Sequence, residues 1–134
     1  MPYVCGSRFR VRYAETDQMG MVYYANYLVW MEVGRSDFCR ECGFSYRDLE
    51  REEQAYLTVA EASCRYLAPA RYDDEVFVET ELSRVSSRLI EFSYRIKNGD
   101  TLLAEGQTVH IVIGADGKPR SLPERYGELW KSRL

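Results

Sequence analysis

One histidine, four cysteines and no apolar run long enough to span a bilayer set the first limits on this 134-residue chain. With His110 alone and no Gly-x-Ser-x-Gly elbow anywhere, Ser-His-Asp hydrolysis lacks its parts. The cysteines, Cys5, Cys39, Cys42 and Cys64, are few for a disulfide framework, and no secretory signal precedes them, so they read as reduced thiols. Cys39-x-x-Cys42 falls near the end of a predicted helix, where the macrodipole opposes the thiolate that a redox pair needs. A zinc site would have to recruit Cys5, Cys64 or His110, which show no paired spacing; no metal and no cofactor are expected. Net charge is −3, and the 18 Lys and Arg are scattered, which is not the footprint of a nucleic-acid binder. Arg8, Arg10 and Arg12 interrupt the region where a signal peptide would carry its apolar core, so the expected location is cytoplasmic, with no membrane insertion.

What the chain does have is core material: 46% hydrophobic and 13% aromatic residues, without repeats or low-complexity segments. A single domain over 1–134 is expected. Arg8 to Tyr13 alternates charged and apolar residues, predicting a half-buried strand with Phe9, Val11 and Tyr13 inward. From about Ala25 to Cys42, Tyr27, Trp30, Met31, Gly34, Phe38 and Cys42 recur at helical period. Gly34 in mid-helix implies close approach to a sheet, and Gly43 is placed to terminate the helix. Ser45 and Asp48 form a capping-box pair ahead of a short second helix, whose run Glu50-Arg51-Glu52-Glu53 reads as a solvated face. Strands are predicted over 56–67, 75–85, 89–96 and 102–113, with Asn98-Gly99 supplying the positive φ values of a primed hairpin turn. Residues 123–134 predict a closing helix with Leu129 and Trp130 inward. The sum is an α+β plan, one long helix laid across an antiparallel sheet. A helix of roughly 25 Å cannot cover both faces of such a sheet, so an edge or face is expected to meet a second subunit.

The chemistry concentrates in Asp17-Gln18-Met19-Gly20-Met21-Val22-Tyr23-Tyr24-Ala25-Asn26-Tyr27. A carboxylate stands three residues before a glycine, and the chain then runs directly into the long helix. Such a segment can hold a base or nucleophile beside the free N–H groups of a helix start, a ready site for a developing oxyanion. That combination points to acyl transfer. Taken alone, Asp17 could simply cap the following turn.

The segment resembles the active-site motif of the hotdog-fold acyl-CoA thioesterases of the 4-hydroxybenzoyl-CoA thioesterase type, Asp-x-x-Gly-x-Val-Tyr-x-x-x-Tyr, here Asp17, Gly20, Val22, Tyr23 and Tyr27. The likeness continues through Asn26, Trp30, Glu32, Gly34 and Arg35, and again at Ala62 to Tyr66 with Pro69, Ala70, Tyr72, Asp73 and Asp74, as in small bacterial members associated with the Tol-Pal system. The resemblance implies a hotdog fold, a central helix wrapped by a five-stranded antiparallel sheet, assembled as a homodimer or homotetramer with the active site at a subunit interface. It implies Asp17 as nucleophile or general base, the Tyr24 backbone N–H as oxyanion donor, Gly20 as the residue that permits the tight loop, and Tyr23 as a substrate contact. Many relatives carry His where this chain has Tyr24; a main-chain donor is indifferent to that exchange. Arg88 is a candidate for coenzyme A phosphates, which a guanidinium binds bidentately.

A carboxylate with oxyanion donors suffices for a thioester because a thiolate leaves without protonation, and no metal is required. Hydration of acyl thioesters in the same fold uses a His, which the helix-entry segment lacks. A non-catalytic acyl-thioester sensor or scaffold is the reading from another class. His110, sharing a strand face with Thr108 and Val112, reads as packed and hydrogen-bonded.

Overall fold

A computed structural model describes residues 3–134. Five strands, β1 (Val4–Arg10), β2 (Tyr56–Tyr66), β3 (Glu75–Val85), β4 (Leu89–Asn98) and β5 (Thr101–Ile113), form one antiparallel sheet in the order β1-β3-β4-β5-β2. Three α-helices, α1 (Asn26–Cys42), α2 (Tyr46–Glu53) and α3 (Glu124–Lys131), complete the α+β hotdog plan. None of them is long and apolar enough to cross a membrane.

Helix α1 lies against the sheet because its apolar stripe is continuous: Tyr27, Trp30, Met31, Gly34, Phe38 and Cys42 are all buried, as the period predicted. Gly34 is what lets the helix come this close. A Cβ there would stand 3.0 Å from Val78 Cγ1 and collide with Thr80 Oγ1. At the far end Gly43 adopts the left-handed conformation (φ 106°), and the Gly43 and Phe44 amides donate back to the carbonyls of Arg40 and Cys39. Ser45 Oγ accepts from the Asp48 amide at 3.1 Å and the Ser45 amide donates to Asp48 Oδ2, so the expected capping box starts α2. Ile90, Phe92, Tyr94 and Ile96 of β4 all face the core, where Phe92 packs edge-on against Phe38 of α1 and Trp130 of α3, and Leu129 is partly buried against the same core.

Two expectations shift. The first strand starts at Val4 rather than Arg8 and ends at Arg10; Phe9 packs on Trp30 and Val11 is buried, but Tyr13 has left the sheet and is 76% exposed. The alternation of Arg8 to Tyr13 continues past the last ladder pair, Arg10 with Glu75, where the chain turns into a short 3₁₀ segment at Tyr13–Glu15. The β4–β5 hairpin turns one residue later than predicted. Asn98 still pairs with Thr101, and Gly99 alone carries positive φ (59°), so the loop is Gly99-Asp100 with glycine first.

His110 is buried, sharing a 2.8 Å hydrogen bond between Nε2 and Thr108 Oγ1, which also bonds the Tyr94 hydroxyl at 2.6 Å. Burial, reinforced by the charge of Arg35, holds its imidazole down at about 4, so it is neutral at ordinary pH. Cys39 is equally enclosed, and burial pushes its thiol up to about 12.

Candidate active site

Residues 15–17 and 21–23 form a short antiparallel ribbon. The Asp17 amide donates to Met21 O at 2.7 Å, Thr16 bridges to Val22, and the Tyr23 amide donates to Glu15 O at 2.9 Å. Gly20, at φ 80°, turns the ribbon, and its amide donates to Asp17 O at 3.0 Å. The second limb is fixed in turn on residues 70–71, through the Val22 amide to Ala70 O and the Met21 bridge to Arg71.

Within this ribbon Asp17 is half-buried, and its two carboxylate oxygens differ. Oδ1 accepts from the amides of Met19 (2.9 Å) and Met21 (3.2 Å), which caps the turn as the plain reading of an isolated Asp would have it. Oδ2 accepts no hydrogen bond among the described residues. The carboxylate is therefore held by one oxygen and offered by the other.

The chain beyond the ribbon enters α1 without a side-chain cap at Ala25. Tyr23 O accepts from the Asn26 amide, and Tyr24 O accepts from the Tyr27 amide and from the Tyr66 hydroxyl at 2.9 Å. Both carbonyls flanking the turn are thus fixed. The Tyr24 amide itself donates to no protein acceptor among the described residues, leaving an oriented N–H at the helix start.

Asp17 and Tyr24 line one cleft of about 370 Å³, together with Met21, Tyr27, Tyr66 and Pro69. Its walls are largely apolar, with aromatic and thioether side chains prominent among them. Tyr66 packs edge-on against Tyr27 at 5.1 Å, while Tyr27 is buried and its hydroxyl accepts from the Ala70 amide. Asp17 and Gly20 also border a second hollow beside Tyr13 and Tyr72.

Of the residues singled out from the sequence, Asp17, Gly20 and Tyr24 are brought together. Tyr23 is 47% exposed and packs against Tyr24 with the rings tilted, centroids 4.7 Å apart, next to the cleft without lining it. Arg88 is exposed in the β3–β4 connection, at the opposite end of the sheet from Asp17 within one protomer. Two contributors were not singled out. Tyr66 appeared only as part of a longer likeness, although an aromatic residue closing a strand just before Pro69 marks a strand end that faces a cleft. Glu15 gave no signal, because nothing in a loop glutamate's neighbours announces burial.

Glu15 is nonetheless 5% exposed and fully engaged. Its carboxylate accepts from the Arg12 amide (2.8 Å), from Arg12 Nη2 (3.0 Å) and from the indole N–H of Trp30 (2.9 Å). Burial alone would raise its carboxyl, but the Arg12 guanidinium, the Arg12 amide and the Trp30 indole outweigh it and hold the group below the usual carboxylate range.

With this geometry in hand, comparison with known proteins places the chain. Residues 19–105 match the model of the thioesterase superfamily. The chain belongs to that superfamily. It is 40% identical over 112 residues to YneP of Bacillus subtilis (strain 168), itself named as a candidate acyl-CoA thioesterase, covering 83% of this chain and 80% of that one. It is 35% identical over 117 residues to the acyl-CoA thioester hydrolase YbgC of Escherichia coli O157:H7, covering 86% and 87%. Among solved structures it superposes with a TM-score of 0.92 on the hypothetical protein TT1821 of Thermus thermophilus, at 35% identity and 98% coverage of both chains. As a member of the thioesterase superfamily it is a thioester hydrolase by family.

Proposed function

We propose that this protein hydrolyses acyl-CoA thioesters, releasing a small or medium acyl group, aromatic acids included, and free coenzyme A. The observation that carries the reading is Asp17: one oxygen is tied down, the other is unpaired, and the cleft it borders is also lined by Tyr24, whose amide has no protein acceptor among the described residues. The thioester carbonyl lies between them. Its oxygen takes the Tyr24 N–H, which stabilises the negative charge that develops as the carbonyl is attacked. Asp17 either attacks the carbonyl carbon directly or draws a proton from the water that does. The C–S bond then breaks and the electron pair leaves on sulfur as a thiolate, with no acid needed to protonate it. Direct attack leaves an acyl anhydride on Asp17, which water cleaves to the free acid.

The acyl group occupies the cleft among Tyr24, Tyr27, Tyr66 and Met21, a volume suited to a ring or a short chain. Assembly is proposed through β2. It is one edge of the sheet, exposed along most of its length, with Val59 and Tyr66 exposed on it and Leu67 exposed just beyond its end. Antiparallel pairing of two β2 edges continues the sheet and sets the Tyr56 end of one strand beside the Tyr66 end of the other. Since Tyr56 lies at the same end of the sheet as the β3–β4 connection, Arg88 of the partner subunit then approaches the cleft from outside, where the phosphates of coenzyme A would be.

The test is thiol release from benzoyl-CoA, hexanoyl-CoA and palmitoyl-CoA, with binding of each measured in parallel. Turnover is expected with the first two. Tight binding of acyl-CoA without release of thiol would replace the enzyme with a sensor or scaffold.

A further inference from the structure

Glu15 stands two residues ahead of Asp17, makes no contact with the cleft, and is the one buried carboxylate of the described residues. We propose that Glu15 is a positioning residue of the thioesterase site, locking the root of the Asp17 ribbon onto α1 so that carboxylate and oxyanion amide keep one relative placement. The proposal rests on the thioesterase reading above and adds the means by which the site holds its geometry.

Both ends of Glu15 are used. Through its carboxylate it grips Trp30, one turn inside α1, at 2.9 Å. Through its main-chain carbonyl it accepts the Tyr23 amide and Asn26 Nδ2, both at 2.9 Å, the residues on either side of the Tyr24-Ala25 turn. The ribbon then runs from that anchor by fixed register: Glu15 opposite Tyr23, Thr16 opposite Val22, Asp17 opposite Met21. A displacement at Glu15 is therefore passed to Asp17 through two paired residues, while the Tyr24 amide is held from the helix side. Arg12 is 75% exposed at its side chain and its ion pair with Glu15 is screened, so the buried bond to the indole is the firmer tie.

Glutamine at this position keeps the shape and one acceptor oxygen, but its NH₂ then faces either the Arg12 amide or the guanidinium and indole together, none of which can accept. Phenylalanine at position 30 keeps a buried aromatic ring, though a smaller one, and deletes the indole donor. Misplacing a reacting group by about an ångström costs on the order of a hundredfold in rate. Glu15→Gln is accordingly expected to lower kcat for benzoyl-CoA about 10- to 100-fold with KM within about twofold. Trp30→Phe lowers kcat in the same direction, and the double variant stays within about twofold of Glu15→Gln, because both changes act on the one tie between the residue 15 carboxylate and the indole. Hydrogen exchange supplies a readout apart from turnover: the Tyr23 and Met21 amides exchange faster in Glu15→Gln, while those of β4 do not change. A Glu15→Gln enzyme with wild-type kcat, losses that multiply in the double variant, or unchanged exchange at Tyr23 and Met21 would overturn the proposal. If the wild-type chain releases thiol from none of the three substrates, the thioesterase reading falls on its own, and the exchange pattern alone decides whether Glu15 anchors the ribbon.

Discussion

At its C-terminal end α1 closes on Gly43, whose left-handed turn returns two amides to the last carbonyls, and Phe44 then packs edge-on against Tyr126 and Trp130 at 4.9 and 5.0 Å. At its N-terminal end the same helix begins with no side-chain cap, an unpaired amide at Tyr24 and a cleft in front of it. A capped end stores stability, whereas an open end keeps hydrogen-bonding capacity for something that is not protein. The carboxylates follow the same division. Glu15 spends its oxygens on three donors, whereas Asp17 keeps one oxygen free.

This contrast can be broken by changing the closed end and watching the open one. The largest expected effect on folding is Phe38→Ala. The ring is fully buried against Phe92, and its loss should cost about 3–5 kcal/mol, read by urea unfolding. The kcat/KM of the folded fraction should not change, and a loss there would mean that the two ends are coupled through the helix.

The interior polar cluster is next. His110 sits at about 4 when folded against an ordinary 6.5, so the unfolded chain binds its proton more readily. The stability gained from keeping it neutral is complete above pH 6.5 and drains away as the pH falls from there toward 4, by up to about 1.4 kcal/mol per pH unit. Urea midpoints from pH 7 to 4.5 should fall accordingly, and this part of the fall should disappear in His110→Gln.

A matched pair of glycines sharpens the comparison further. Gly20 and Gly43 both have positive φ (80° and 106°), with nothing within 4 Å of an added Cβ, so alanine costs about 1–2 kcal/mol of backbone strain at either position. Gly43→Ala should spend that cost on the melting temperature alone, leaving kcat within about twofold. Gly20→Ala should instead re-aim the ribbon and lower kcat about tenfold. Equal kinetics for the two variants would remove the distinction between the ends. The smallest effect is Tyr24→His. The side chain is 61% exposed and the proposed donor is its main-chain amide, so turnover should stay within about threefold on the same thioester.

Much of this was legible in the residues because hydrophobic period survives translation into structure. The stripe from Tyr27 to Cys42, the alternation of Ile90 to Ile96, the Ser45 box and the reason for Gly34 were all readable from spacing alone. Strand order was not, since alternation tells which face a residue takes and never which neighbour; that β2 crosses to the far side of β5 depends on where α1 and α2 lead the chain. Tyr13 carried the right alternation into a place where the ladder had already ended. At the site, Asp17 and Gly20 were visible as parts of a motif, and Tyr24 entered through the family resemblance. Glu15 was not, because its burial is decided by the indole of Trp30, fifteen residues away, and no local pattern encodes that meeting.

The decisive measurement is thiol release by Asp17→Asn beside the wild type on one thioester, with melting temperatures of both. Asparagine keeps an oxygen to accept from the Met19 and Met21 amides, so the ribbon should hold and the melting temperature should move little. With the free carboxylate oxygen gone, kcat should fall about 10²- to 10⁴-fold. A folded Asp17→Asn enzyme turning over within a few-fold of wild type would contradict the proposed chemistry.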